Sequence, residues 1–327
     1  MSKNSLKIAV EFYGHLRSFR ETAPNIKQNF INQLGDNVDI FIHTWNNSDT
    51  SEVSWHNKSG EVRGETIADN DLSFLKDNYA PKKISIDQPF SERLPKYKIK
   101  LSEVEVPLSS IESVFYTKYK VNELRKEYEN ETGAKYDFVI QARLDQYFFT
   151  PFNIEKFINY QTLKKNKLSI DLSNVIFYCA DSNLYGNAAI PKLFCGTDVM
   201  YFGTPNAMDK FTSVYTKIKN IDLEKEFFSM ECLLAEQGIK EGLTLARTNY
   251  IKDKDFGLLR TTGYFSFQST KKKKFLKQVC RIKAANKNLT IKMLSMIDAS
   301  IVDLTIGFFG YKVALSIGEK NKYKLLK

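Results

Sequence analysis

The chain has 327 residues, and its apolar content of 43% is enough to build a large hydrophobic core. Together these values exclude an intrinsically disordered protein. The formal net charge of +10 is concentrated in one segment, because residues 271–327 contain 14 Lys and Arg against three acidic residues. Residues 1–270 are close to neutral, which disfavours a nucleic-acid-binding protein, whose main domain is expected to carry basic charge. The four cysteines have no Cys-x-x-Cys spacing, so we expect reduced, buried thiols.

The charge distribution predicts two parts, a globular domain of residues 1–268 and a basic helical tail of residues 269–327. The tail opens with four consecutive lysines and continues as an apolar stretch that four charged residues interrupt. Those charges disfavour a bilayer-spanning helix. An amphipathic helix on an anionic membrane surface, or one packed on the domain, fits the pattern. Because no cleavable signal segment is recognisable, we expect a cytoplasmic protein bound peripherally to the inner face of the cytoplasmic membrane.

The first elements in chain order predict a βαβ unit. Residues 6–12 have the β-branched and aromatic composition of a strand, and the periodic apolar residues of 26–34 predict a helix that ends at Gly35. Residues 38–42 are almost all apolar, as in a strand buried on both faces. The polar segment 46–65 is expected to be a loop over the carboxyl ends of these strands.

The later elements extend the same alternation of strands and helices. A short strand is predicted at 84–86, and a capping box of Ser109 and Glu112 is predicted to start a long helix that runs to about Thr132, before Gly133. The remaining predicted elements are strands at 136–145 and within 168–202, and helices at 206–218 and 224–237, the last ended by Gly238. This order predicts an α/β fold with a mostly parallel sheet flanked by helices.

Three polar loops follow the carboxyl ends of predicted parallel strands: Gly14-His15-Leu16-Arg17, His43-Thr44-Trp45 and Arg143-Leu144-Asp145. Ligands bind at this edge of open α/β sheets, so the loops predict a pocket. Gly14 allows a close approach of backbone to ligand, and Arg17 can hold a phosphate bidentately. The alternative is an ordinary strand-to-helix turn with a surface arginine. His15 and His43 are candidate ligand contacts, with a structural role as the alternative.

Asp145 closes an otherwise apolar strand, where a carboxylate can hold a divalent cation, Mn²⁺ or Mg²⁺, against the two phosphates of a nucleotide-sugar. Alternatively, Arg143 and Asp145 lie on the same side of the strand and pair with each other. Asp198 and Glu231 are candidates for the base that takes a proton from an acceptor hydroxyl. For Glu231, a solvated position on a helix surface is the alternative.

The order of these motifs resembles bacterial glycosyltransferases of lipopolysaccharide and capsule biosynthesis. The resemblance covers about residues 6–260 and consists of the Gly14-x-x-Arg17 loop, the Ile42-His-Thr-Trp45 strand end and the Tyr136 to Asp145 segment. It implies a GT-A-like, Rossmann-like nucleotide-sugar domain with Asp145 at the last carboxylate of a metal-binding Asp-x-Asp motif. Arg143 replaces the first carboxylate, which implies that it neutralises diphosphate charge, and Asp198 is implied to be the base.

The expected activity is transfer of a sugar from a nucleotide-sugar donor to a hydroxyl of a lipopolysaccharide, capsule or other surface-glycan acceptor. The alternative is a non-catalytic scaffold or binding module of a polysaccharide-assembly complex. The candidate site residues are Asp198 and Glu231 for catalysis, Gly14, His15, Arg17, His43, Arg143 and Asp145 for donor binding, and Asp145 for the metal.

Overall fold

The structure is a computed structural model that describes residues 6–49, 64–90, 95–99, 104–155, 172–181, 196–223 and 229–259. The predicted tail of residues 269–327 and most of the predicted loop 46–65 lie outside this part of the chain. No helix within the described ranges is long and apolar enough to cross a membrane. The thiols of Cys179 and Cys232 are buried, as expected, and the other two cysteines lie outside the described residues.

Strands form the centre of the molecule. In the described residues they are β1 (Ile8–Tyr13), β2 (Val38–Trp45), β3 (Lys83–Asp87), β4 (Lys96–Ile99), β5 (Val104–Pro107), β6 (Phe138–Ala142), β7 (Gln146–Phe148), β8 (Val175–Asp181), β9 (Gly196–Gly203), β10 (Thr244–Lys252) and β11 (Phe256–Leu258). Nine of them form one mixed sheet in the order β3-β2-β1-β6-β9-β8-β10-β11-β7. Strands β3, β2, β1 and β6 are parallel, whereas β9 is antiparallel to β6. The predicted α/β fold with a mostly parallel sheet is confirmed at this level.

Helices flank the sheet. Those of the described residues are α1 (Phe19–Ile26), α2 (Asp69–Tyr79), α3 (Leu108–Thr132), α4 (Pro205–Thr212), α5 (Val214–Lys217) and α6 (Met230–Lys240). Helix α1 continues through a π-helical turn, Lys27–Ile31, and a short α-turn, Asn32–Leu34, before Gly35. Gly35 has a φ of 99°, which a residue with a side chain rarely adopts, so the helix ends where the sequence predicts.

The predicted capping box at the start of the long helix α3 is wrong. The helix begins at Leu108, directly after Pro107, and no side chain caps its first turn. Ser109 lies inside that turn and is buried. Proline favours an extended backbone and lacks an N–H, so it sets the helix start without a capping hydroxyl. The carboxyl end is as predicted, because Gly133 has a φ of 72°.

The predicted end of the last helix, α6, is also wrong. Gly238 lies within the helix, which continues to Lys240. A Cβ atom on Gly238 would lie 3.2 Å from the Phe211 ring, so this glycine permits close packing of α6 on α4. The turn that follows depends on Gly242, whose φ is 78°. One glycine thus permits close helix packing and the other permits a turn, and the sequence alone does not distinguish these two roles.

The central strand β1 is buried along its whole length because helices cover both faces of the sheet. Its Ile8, Val10 and Phe12 side chains belong to the core that includes α1. Tyr13 belongs to the opposite core, which includes α3, α4 and α6. On that same face Glu11 accepts a hydrogen bond from the α3 residue Arg125 at 3.0 Å. Helix α3 therefore fixes β1 and the polar loop that follows it.

Candidate functional site

The carboxyl ends of β1, β2 and β6 meet at one edge of the sheet. The parallel register pairs Tyr13 with His43, and Phe12 with Ala142, so the loops after these strands start side by side. Strand β9 runs the other way, and its amino end, which carries Asp198, reaches the same edge. The topology thus brings four polar segments together, as expected for a ligand site in an open α/β sheet.

The loop after β1 is held in an unusual backbone conformation. Gly14 has a φ of 95°, and its N–H donates to the hydroxyl of Thr117 on α3 at 3.0 Å. A Cβ atom on Gly14 would meet nothing within 4 Å, so glycine is needed for the backbone angle and not for space. Arg17 also has a positive φ, 49°, and its N–H donates to the Ser48 carbonyl at 2.8 Å. The loop is therefore constrained at both ends.

Arg17 joins two carboxylates from other segments. Its Nε donates to Asp49 at 2.9 Å, and its Nη1 donates to Asp145 at 3.1 Å. The predicted phosphate-binding arginine is thus already paired, while 15% of its side chain remains exposed. A guanidinium has five donor hydrogens, so these two contacts leave donors for an anion.

Asp145 is fully buried between two arginines. Arg143 donates to it from Nε at 2.7 Å and from Nη2 at 2.5 Å, and Arg17 adds the contact described above. Burial acts to lower the pKa of Arg143, but Asp145 outweighs it and raises that pKa above its usual range. Arg143 therefore keeps its charge, and 14% of its side chain is exposed at the sheet edge. The alternative in which Arg143 and Asp145 pair with each other is the observed arrangement.

These contacts do not fit a divalent cation at Asp145. Both carboxylate oxygens already accept hydrogen bonds from arginine. Within the described ranges no group of three His, Cys, Asp or Glu side chains is placed to hold a metal ion. A cation needs several oxygen ligands, and the neighbouring positive charges oppose it. The predicted metal role of Asp145 gains no support from this part of the chain.

Asp198 and Glu231 belong to a second cluster of polar residues, which lies beside the arginine pair of Arg17 and Arg143. Asp198 is half-buried and lies close enough to Arg143 to act on its charge. Glu231 occupies the first turn of α6, whose amino end is capped by the Ser229 hydroxyl, the acceptor of a hydrogen bond from the Cys232 N–H at 3.2 Å. Burial, and then the charge of Asp198, raise the pKa of Glu231 to about 7. Glu231 is half-buried, so it differs from the fully solvated helix-surface residue of the alternative, and it can exchange a proton near neutral pH.

His43 lies in a different environment. Its ring is fully buried, with Nε2 3.1 Å from Asp87 and Nδ1 2.6 Å from the Thr117 hydroxyl. Because a carboxylate only accepts, Nε2 carries the proton and Nδ1 accepts from Thr117, which in turn accepts from Gly14. Burial lowers the pKa of His43 to about 4, against the opposing effect of Asp87. These contacts match the structural alternative for His43, that of holding the β1 loop.

His15 lies nearer to the sheet edge than His43. Its Nδ1 is 2.9 Å from the Asn47 carbonyl, and its ring centroid is 6.2 Å from that of Trp45. Burial lowers the pKa of His15, so the ring is neutral at pH 7. The ring is half-buried, and the prediction that His15 contacts a nucleotide-sugar donor stays a prediction.

The sequence patterns missed two residues of the second cluster. Tyr13 closes β1, and its hydroxyl lies 2.5 Å from the Asp198 carbonyl and 3.0 Å from that of Val199. Lys118, on α3, is buried and donates to the Tyr13 hydroxyl at 2.5 Å and to the Asp198 carbonyl at 2.6 Å. The available signal was polar residues at helical spacing, Lys118, Asn122 and Arg125, on the face that α3 buries.

No protein-family model and no curated protein matches this chain. A cleft of about 440 Å³ opens beside the first turn of α1, and none of the predicted site residues lines it. The feature that bears on function is therefore the convergence at the sheet edge of Arg17, Arg143, Asp145, Asp198 and Glu231. Of the predicted residues, Gly14 and His43 support this site through hydrogen bonds.

Proposed function

We propose that the protein is a glycosyltransferase with a GT-A-like domain, which transfers a sugar from a nucleotide-sugar to a hydroxyl of a surface-glycan acceptor. One observation supports it most, namely that two arginines, with the carboxylate of Asp145 between them, lie beside the carboxylates of Asp198 and Glu231 at the carboxyl edge of a mostly parallel sheet. Such a transfer needs positive charge for the departing diphosphate and a base for the acceptor hydroxyl. The candidate site offers both.

The arginines would bind the diphosphate of the donor. Arg143 and Arg17 are both partly exposed and held by Asp145, which orients them without using all of their donor hydrogens. Arginine stays protonated and binds phosphate oxygens bidentately, so it can neutralise the leaving group where a cation would otherwise serve. We therefore expect donor binding to persist without Mn²⁺.

Asp198 or Glu231 would act as the base. The acceptor hydroxyl gives its proton to the carboxylate while its oxygen forms the bond to the anomeric carbon. The bond from that carbon to the diphosphate breaks, and its electron pair leaves with the nucleoside diphosphate. This direct displacement inverts the anomeric configuration. Glu231 suits the role because its pKa of about 7 lies near the operating pH.

Donor binding is the first test. The purified chain is screened by thermal shift against UDP-, GDP-, CMP- and dTDP-sugars, with Mn²⁺ and with a chelator. A donor present at 100 times its Kd stabilises the native state by about 2.7 kcal/mol. Asp145→Asn should reduce the shift because the arginines lose their shared anchor. Asp137→Asn is the matched control, since Asp137 is exposed before the other end of β6.

Turnover separates the enzyme from a binding module. Release of the nucleotide, a nucleoside diphosphate or, from a CMP-sugar, CMP, is measured with the donor that binds, for the parent, Asp198→Asn and Glu231→Gln. Loss of the base should lower kcat by about 10²- to 10⁴-fold while the thermal shift remains. Glu236→Gln, on the same helix, should behave as the parent. Binding without turnover in the parent would favour the non-catalytic scaffold, and no shift with any donor would contradict the proposal.

The acceptor and the location belong to the same proposal. A lipid-linked or lipopolysaccharide acceptor lies at a membrane, and the basic tail would hold the enzyme there in the cytoplasm. Co-sedimentation with anionic liposomes should be lost in a chain truncated after Ser269 and should weaken with added salt. Equal binding by the truncated chain would show that the tail has no such role.

A further inference from the structure

Lys118 is a buried charged residue that neither the arginine pair nor the candidate bases explain. It lies on α3 with 1% of its surface exposed. Its Nζ is 3.8 Å from the centroid of the Tyr13 ring and 4.9 Å from that of the Tyr201 ring. Two aromatic faces thus enclose the ammonium group, an arrangement that offsets part of its desolvation.

The polar contacts of Lys118 point to the amino end of β9. Nζ donates to the Asp198 carbonyl at 2.6 Å and to the Tyr13 hydroxyl at 2.5 Å, and that hydroxyl lies 2.5 Å from the same carbonyl. Lys118 and Tyr13 therefore fix the backbone that carries the Asp198 carboxylate. The charges of both Asp198 and Glu231 also act on Lys118.

We propose that Lys118 is a positioning residue of the transferase site, which fixes Asp198 and whose charge favours the ionised form of the neighbouring Glu231. This inference rests on the proposed function. Tyr13 from β1 and Asp198 and Tyr201 from β9 contact Nζ, and Glu231 from α6 acts on its charge. Lys252 from β10 also acts on Glu231, and Arg143 and Asp198 act on each other.

The pKa of Lys118 itself lies near neutral pH, so its charge changes in that range. Burial lowers its pKa to about 7, and the charges of Asp198 and Glu231 oppose that shift. On the acid side of pH 7 the ammonium is therefore charged, and this positive charge lowers the proton affinity of Glu231. Removing that charge should make Glu231 hold its proton to a higher pH.

The test is the pH dependence of turnover for Lys118→Gln and Lys118→Arg. The glutamine variant keeps a donor for the Asp198 carbonyl but carries no charge. We expect kcat to fall about tenfold or more with little change in donor KM, and the acid limb of the kcat profile to move up by about one pH unit. Lys118→Arg should restore the position of that limb. Lys126→Gln, which changes a surface lysine of the same helix, should match the parent.

Two results would overturn the inference. One is an unchanged acid limb in Lys118→Gln, which would leave Lys118 with a structural role alone. The other comes from a double-mutant cycle of unfolding stability, which does not require an active enzyme. Urea midpoints are measured for Lys118→Gln, Glu231→Gln and the double variant, or with the uncharged Lys118→Met if the glutamine variant does not fold. Additive midpoint shifts would contradict the coupling even where the parent proves inactive, so failure of the proposed function is distinguished from failure of this inference.

Discussion

The substitution Arg125→Met should destabilise the protein in a way that depends on pH. Arg125 is fully buried and bonds to Glu11 at 3.0 Å and to Asn122 at 3.0 Å, and it also pairs with Glu129 and Asp209. Glu11 is fully buried too, and its other described partner is the Gln141 amide at 2.9 Å. Breaking a buried ion pair from one side typically costs about 3–5 kcal/mol, largely because the remaining charge is stranded.

Protonation of Glu11 limits the electrostatic part of this loss. Burial raises its pKa from 4.5 to about 7, against the opposing effect of Arg125. A raised folded-state pKa gives stability that is fully present below the unfolded value and is lost as pH rises to the folded value. In the parent this loss of stability ends near pH 7. Without Arg125 the pKa of Glu11 rises further, so the loss of stability continues to a higher pH. At pH 8 the extra loss is about 1 kcal/mol, and at pH 6 it is close to zero.

Urea unfolding at pH 6 and pH 8 measures both parts. The free energy of unfolding is compared for the parent, Arg125→Met, Glu11→Gln and the double variant. We expect Arg125→Met to lose about 1 kcal/mol more at pH 8 than at pH 6, and this excess to vanish in the Glu11→Gln background. A pH-independent loss, or the same excess without Glu11, would refute the assignment of the effect to a stranded carboxylate.

Three further substitutions test separate features. His43→Gln keeps hydrogen-bonding groups but does not titrate. The folded pKa of His43 is lowered to about 4, so the stability that neutral His43 contributes is lost as pH falls below 6.5. In urea unfolding, the free energy of the parent should therefore fall by about 2 kcal/mol more than that of the variant between pH 7 and pH 5. Tyr79→Phe should leave stability unchanged or raise it by up to about 1 kcal/mol, since the buried hydroxyl has no partner among the described residues; a lower melting temperature would contradict this. Gly14→Ala should lose about 1 kcal/mol or more through its φ of 95° alone, with the loss absent only if the loop changes conformation, which amide hydrogen exchange would detect.

The sequence predicted the sheet edge because the signals there are local. A run of apolar residues followed by polar ones marks a parallel strand and its carboxyl end, so Gly14, Arg17, Arg143 and Asp145 were predicted and do lie at one edge. The approach of Arg17 to Asp145 could not be predicted, since 128 residues separate them and their pairing depends on the loop conformation. Periodicity does not encode side-chain direction at that distance.

Other elements were missed because tertiary contacts override local patterns. Helix α2 is half-exposed, with only Leu75 and Tyr79 buried, so its apolar period is weak. The predicted capping hydroxyl of Ser109 is buried within α3, where Pro107 sets the helix start. Lys118 lies in a helix that is rich in charged residues, and its helical spacing with Asn122 and Arg125 does not reveal that it packs against β1 and β9.

The chain order of the sheet also bears on synthesis. The second parallel neighbour of strand β1 is β6, which begins at Phe138, so the first 137 residues of the chain are synthesised before the centre of the sheet can close. The antiparallel strand β9 and helix α6 are made later still. Once Asp145 has left the ribosome, a nascent chain can form the contacts of Arg17 and Arg143 with Asp145, before Asp198 and Glu231 are available to it. We therefore expect incomplete chains to form the contacts of Arg17 and Arg143 with Asp145 before Asp198 and Glu231 complete the candidate site.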